Sequence, residues 1–143
     1  MDIGYSGLAA ELYDLWWAEK PLEDESFYRR MLEQCPGLAL EVGCGTGRLL
    51  LPYLQAGFDV EGVDCAPEML AICQQKAERE GLTPILHQQF MQDLDLTQRY
   101  KTIYIPFRSF QLMSDRDDAL KSLQNFYAHL EAEGQLLIST GIP

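Results

Sequence analysis

Leu38-Ala39-Leu40-Glu41-Val42-Gly43-Cys44-Gly45-Thr46-Gly47-Arg48 is the stretch on which the reading of this chain turns. An apolar run of five residues, preceded by Pro36-Gly37, ends in glycines at every second position. Such a run, bounded by turn signals, reads as a buried strand. A helical pattern follows at once in Leu49, Leu50, Leu51 and Leu54. Three glycines between a strand and a helix let the backbone turn tightly and bring a ligand against bare main chain. The N–H groups at the start of the helix then point at whatever sits there. A plain turn does not require three glycines.

The same alternation continues outward. Phe58 to Asp64 reads as a second strand, and Pro67 suits the first turn of a helix that buries Met69, Leu70, Cys73 and Ala77 and stops near Gly81. Pro84 to Phe90 and Tyr100 to about Phe107 read as strands three and four. Ser114 is read as the cap of the next helix, with Asp117 as its capping-box partner. Its buried stripe is expected at Leu120, Leu123, Tyr127 and Leu130, and Gln135 to Thr140 is the fifth strand. Upstream, Ala9, Leu12, Tyr13 and Trp16 share a helical face. After Pro21, Ser26 opens a second pattern in which Phe27, Tyr28, Met31, Leu32 and Cys35 share another.

Strands rich in Leu, Ile and Val alternating with helices mean an α/β fold: a parallel sheet covered on both faces. Right-handed crossovers make the doubly wound arrangement the natural solution. The expected strand order is 3-2-1-4-5, with a helical segment at the amino-terminal end. At 143 residues the chain is one domain, of a size that buries about 68–70 % of its unfolded surface.

The 22 Asp and Glu residues against 11 Lys and Arg leave a net charge of −11. That balance argues against nucleic acid and anionic membranes as partners, because phosphate binding needs clustered positive charge. A small-molecule enzyme fits it. Cys35, Cys44, Cys65 and Cys73 form no C-x-x-C pair, and with His87 and His129 they show no zinc spacing, so no metal is expected. Free thiols, no secretory signal and no long apolar run lead to an expectation of a cytoplasmic protein. His87, on an edge strand, is read as solvated, and His129 as exposed.

Two ligand classes compete for the glycine loop. A dinucleotide fingerprint is G-x-G-x-x-G, but its last position here is Arg48, and the third glycine comes one residue early at Gly47. The pattern is G-x-G-x-G with an acid, Glu41, two residues before the first glycine. In this it resembles motif I of the class I S-adenosylmethionine-dependent methyltransferases, in their small-molecule branch. The resemblance implies a Rossmann-like methyltransferase core, S-adenosyl-L-methionine as cofactor and a small-molecule methyl acceptor. It further implies that Glu41 and the loop Gly43, Cys44, Gly45, Thr46 and Gly47 hold the methionyl end.

Asp64 closes the second strand, 21 residues after Gly43, where an acid can accept hydrogen bonds from both ribose hydroxyls. A helix N-cap is its other reading, and the two are compatible. By resemblance, Cys65 and Met69 line the adenine pocket, and Gln89 to Leu94 is the adenine-contacting turn. Phe90 occupies the place of an acid there, so Met91 would offer its main chain and Gln92 or Asp93 a replacement side chain. Tyr104 to Phe110 should face the transferable methyl, with Arg108 as a candidate grip on an acidic acceptor. No catalytic base can be assigned.

Residues 1–36 look like the helical lid of such enzymes, or else plain packing helices, and residues 37–143 are the core. Relative to the family the core stops after its fifth strand. An exposed fifth-strand edge could then pair with a second copy or exchange strands. Two other functions stay open: a non-catalytic S-adenosylmethionine-binding module acting through a partner, and an NAD-dependent oxidoreductase.

Overall fold

The computed structural model describes residues 7–17, 24–107 and 109–140. Five strands form one sheet in the order β3-β2-β1-β4-β5. They are β1 (Ala39–Val42), β2 (Val60–Asp64), β3 (Leu86–Gln88), β4 (Tyr100–Ile105) and β5 (Leu130–Ile138), and every pairing is parallel. The helices are α1 (Leu8–Trp17), α2 (Glu25–Gln34), α3 (Leu50–Gln55), α4 (Pro67–Arg79) and α5 (Arg116–His129). The expected α/β doubly wound order is the one observed.

Side chains alternate across the strands, so β1 feeds two cores. Ala39 packs with Leu49, Leu50, Leu51, Tyr53, Cys73 and Ala77 on the face covered by α2, α3 and α4. Leu40 and Val42 join Val63, Ile103, Ile105 and Phe126 on the α5 face. Gly62 is the tight spot between β2 and the glycine loop: a Cβ there would sit 2.8 Å from Cys44 Sγ and 2.9 Å from Leu50 Cδ2. Overpacking of this kind costs about 2 kcal/mol, so Gly62→Ala should lower the urea midpoint without changing the slope.

α5 departs from its expected form in three respects. Asp115 caps it, its Oδ1 accepting the N–H of Asp117 at 2.7 Å and of Asp118 at 3.1 Å, while Ser114 plays no such part. The buried positions are Ser122, Phe126 and His129. Three of the four expected stripe positions are instead outward-facing, with Leu120 48 %, Leu123 38 % and Tyr127 82 % exposed, while Leu130 packs against the core. Two interleaved sets at helical spacing are equally periodic, and the one that faces the sheet is chosen by its neighbours. The chain also enters β5 early. Leu130 pairs with Tyr100, residues 131–134 bulge out, and the ladder resumes at Gln135 against Thr102. Gly134 lies in that bulge.

Both histidines have polar partners, His87 while partly exposed at the sheet edge and His129, against expectation, while buried. His87 Nε2 lies 3.0 Å from Glu61 Oε1, which also accepts the Tyr100 hydroxyl at 2.8 Å. His129 is buried and accepts the N–H of Leu96 on Nε2 at 3.0 Å.

Candidate functional site

A cavity opens at the carboxyl ends of β1 and β2, where ligands bind in open parallel sheets. Main chain forms one wall, at Gly43 and Gly45. Both adopt left-handed φ values, 75° and 55°. A Cβ on Gly43 would fall 2.9 Å from Ser109 Oγ, and one on Gly45 3.1 Å from Met69 Cε. The cradle is therefore kept open by the absence of side chains.

Asp64 lines the cavity and ties two of its parts together. Its Oδ2 accepts the N–H of Gly45 at 2.8 Å, and its Oδ1 accepts the N–H of Ala66 at 2.9 Å, just ahead of α4. One carboxylate thus ties the glycine loop to the entry of the next helix. Burial raises its pKa above the usual carboxylate value, while the N–H groups of Ala66, Gly45 and Cys65 pull it back. A carboxylate has about four lone-pair positions, so it retains acceptor capacity toward the cavity.

Of the residues singled out from sequence, Gly43, Gly45, Asp64, Cys65, Met69 and Met91 line the cavity. Glu41 does not. It is fully buried among the tyrosines of the α2 and α3 side of the sheet, where its Oε1 accepts the Tyr104 hydroxyl at 2.7 Å. Tyr104 packs in turn on Tyr28, 5.2 Å between ring centres, and on Tyr53, 6.3 Å. Desolvation pushes the Glu41 carboxyl up to about 8. Cys44 and Thr46 are buried beneath the loop, and burial drives the Cys44 thiol well up, away from reactivity. Gly47 donates its N–H to Cys44 O and accepts the N–H of Leu51, joining the loop to α3. Gln92 is half-buried with its Oε1 lacking a hydrogen-bond partner, and Asp93 is exposed.

The cavity takes further residues from α1, from the end of β3 and from the segment after β4. Tyr13 of α1 lines it, beside Ala10, which is buried against Ala66 and Met69. Phe107 and Ser109 come from the segment after β4, and Phe107 holds a left-handed φ of 57° that is costly for a bulky residue. Arg48 places its guanidinium 5.2 Å from the Phe107 ring centre and 5.8 Å from that of Tyr13. Gln89 and Phe90 complete the far end. Arg108 and the side chain of Trp16 lie outside the described residues. Gln89, Phe90 and Met91 are the part of the expected 89–94 turn that reaches the lining.

A family model described as a methyltransferase domain matches residues 39–134. A protein of Geobacillus sp. (strain WCH70) that carries a provisional methyltransferase name is 32 % identical over 87 % of this chain and 49 % of its own length. The dTDP-3-amino-3,6-dideoxy-alpha-D-glucopyranose N,N-dimethyltransferase of Streptomyces fradiae is 29 % identical over 94 % and 53 %. Among solved structures, an S-adenosylmethionine-dependent methyltransferase from Clostridium acetobutylicum superposes with a TM-score of 0.76 at 26 % identity, over 90 % of this chain and 55 % of that one. A sugar N-methyltransferase from Streptoalloteichus sp. gives 0.75 at 27 %, over 96 % and 58 %. The chain spans about half the length of these relatives. Sheet order, glycine loop and these matches agree: the chain belongs to the methyltransferase-domain family and has the fold of S-adenosylmethionine-dependent methyltransferases.

Proposed function

We propose that this chain is the cofactor-binding core of an S-adenosylmethionine-dependent methyltransferase acting on a small-molecule acceptor. The observation that carries the reading is the Asp64 carboxylate at the end of β2, held by the Gly45 N–H in a cavity walled by the bare main chain of Gly43 and Gly45. The fit is chemical as well as spatial. Main chain at Gly43 and Gly45 suits a zwitterionic amino-acid end, the acid suits two ribose hydroxyls, and Met69, Phe90 and Met91 offer an apolar slot for a base.

When bound, the cofactor supplies a methyl group activated by a sulfonium. The chain's own part is to align and to exclude water. Tyr13 and Phe107 are placed to cover the cavity from α1 and from the β4 end, which supports a lid role for α1. α2, by contrast, packs into the core through Tyr28 and Leu32. The described lining residues include no histidine or lysine to take a proton. An acceptor with its own available lone pair, such as a neutral amine or a carboxylate, suits that lining. Relatives named for amino-sugar and for glycine and sarcosine N-methylation support the small-molecule reading.

Titration calorimetry of the purified chain with S-adenosylmethionine, S-adenosylhomocysteine and NADH tests it. Micromolar binding of the first two alone is expected. Binding of NADH alone, or of none, overturns the reading. A non-catalytic role in which the chain only binds the cofactor is separated by assaying methyl transfer to a panel of small amines.

A further inference from the structure

Two side chains of α5 cross to the segment between β3 and β4, and one lands on the turn that lines the cavity. Asn125 Nδ2 donates to Met91 O at 3.1 Å and to Gln92 O at 2.8 Å. A carboxamide nitrogen has two hydrogens, so both are spent on a single turn. One helical turn later, His129 donates from Nδ1 to Asn125 O at 2.7 Å and accepts the Leu96 N–H on Nε2. Leu96 does not line the cavity, whereas Met91 does.

The grip of Asn125 has a directional consequence. In a trans peptide the C=O and the following N–H point opposite ways. Holding the Met91 carbonyl therefore turns the Gln92 N–H away from α5. Holding the Gln92 carbonyl does the same for the Asp93 N–H, which donates to Phe90 O at 3.1 Å. The main chain of the turn is set from behind.

Of the turn's side chains that line the cavity, those of Gln89, Phe90 and Met91, the one polar group is already committed, and Gln92, whose Oε1 lacks a partner, is not part of the lining. The Gln89 amide donates to Asp95 O at 3.1 Å and accepts the Asp95 N–H at 2.8 Å. Phe90 and Met91 are apolar. What remains to hydrogen-bond a base edge here is main chain.

We propose that Asn125 is a positioning residue for base recognition: it fixes the turn at residues 90–93 so that main-chain groups, not a carboxylate at position 90, read the adenine of the cofactor. The proposal rests on the methyltransferase reading above. Nothing about Asn125 is visible from its own stretch of sequence, since its partners lie more than thirty residues upstream.

The test is calorimetric titration of the full chain with S-adenosylhomocysteine and with S-inosylhomocysteine, whose base carries a ring N–H donor where adenine has an acceptor. Wild type should prefer the adenine compound. Asn125→Ala and Asn125→Asp should bind it roughly tenfold more weakly and lose most of that preference. Asn125→Ser, which retains one donor, should recover part of both and carries the comparison if the alanine variant does not fold. His129→Gln removes the other tether and should lower the melting temperature while leaving the base preference intact. The proposal is overturned if Asn125→Ala and Asn125→Ser keep the wild-type preference, or if affinity for both compounds falls by the same factor. Wild type that binds neither compound overturns the methyltransferase reading itself, and the role of Asn125 with it.

Discussion

Replacing Asp64 with alanine is expected to weaken S-adenosylhomocysteine binding on the order of a hundredfold or more. Two losses combine. The substitution removes the carboxylate proposed to accept both ribose hydroxyls, and hydrogen bonds to a charged group contribute about 1.5–3 kcal/mol each. It also releases the Gly45 and Ala66 N–H groups that the carboxylate now holds at 2.8 and 2.9 Å. Asp64→Asn separates the two. An amide retains one acceptor oxygen and nearly the same volume, so it should preserve much of the fold while still losing most of the affinity. Calorimetry read beside the urea midpoint distinguishes these contributions. Unchanged affinity in Asp64→Ala would sink the ribose assignment.

The second large effect concerns Glu41 and is read in stability. Its carboxyl is buried beneath the loop, and desolvation, aided by the charge of Asp64 and opposed by the Tyr104 hydrogen bond, raises it from 4.5 to about 8. Below pH 4.5 the group is protonated in folded and unfolded chain alike. Between 4.5 and about 8 the unfolded chain gives up the proton and the folded chain keeps it, so the folded state binds more protons and stability falls as pH rises. Above about 8 the loss is complete. Its size is on the order of 3–5 kcal/mol, because each tenfold difference in proton affinity between folded and unfolded chain is worth about 1.4 kcal/mol. Glu41→Gln keeps the shape and an acceptor for Tyr104 but has no proton to lose. The variant should therefore gain on wild type as pH rises from about 5 to about 8.5, with the gap followed by urea unfolding at each pH. A gap that stays flat across that range would show that Glu41 is already ionised in the fold.

That same residue shows where reading from sequence stops. Its spacing before Gly43 marks it as part of the glycine-loop pattern, and the pattern led to the family. Which way the side chain points is another matter. β1 is buried on both faces, so nothing in an otherwise apolar strand says whether the one acid in it meets the cavity or the tyrosines. Tyr28, Tyr53 and Tyr104 come from α2, α3 and β4, and only their convergence makes a site for a buried acid.

α5 makes the same point from the other direction. Leu120, Leu123 and Tyr127 are as regularly spaced as Ser122, Phe126 and His129, and hydrophobicity alone favours the first set. The fold buries the second, because those positions meet the sheet and the segment from 91 to 96. There His129 and Asn125 satisfy main-chain groups that a leucine could not. Packing and polar satisfaction together outweigh the apolar count.

What the sequence determined by itself was local and periodic. The alternation of strand and helix, the glycine loop between β1 and α3, the proline that starts α4 and the acid at the end of β2 each depend on a few adjacent residues and on backbone sterics. Right-handed crossovers then leave little choice of sheet order. The tertiary structure decided which face of α5 is buried, where Glu41 points, and which residues close the cavity from α1, the β4 end and the turn held by Asn125. Those are properties of pairs of elements distant in the chain, and they exist only once the sheet has brought the elements together.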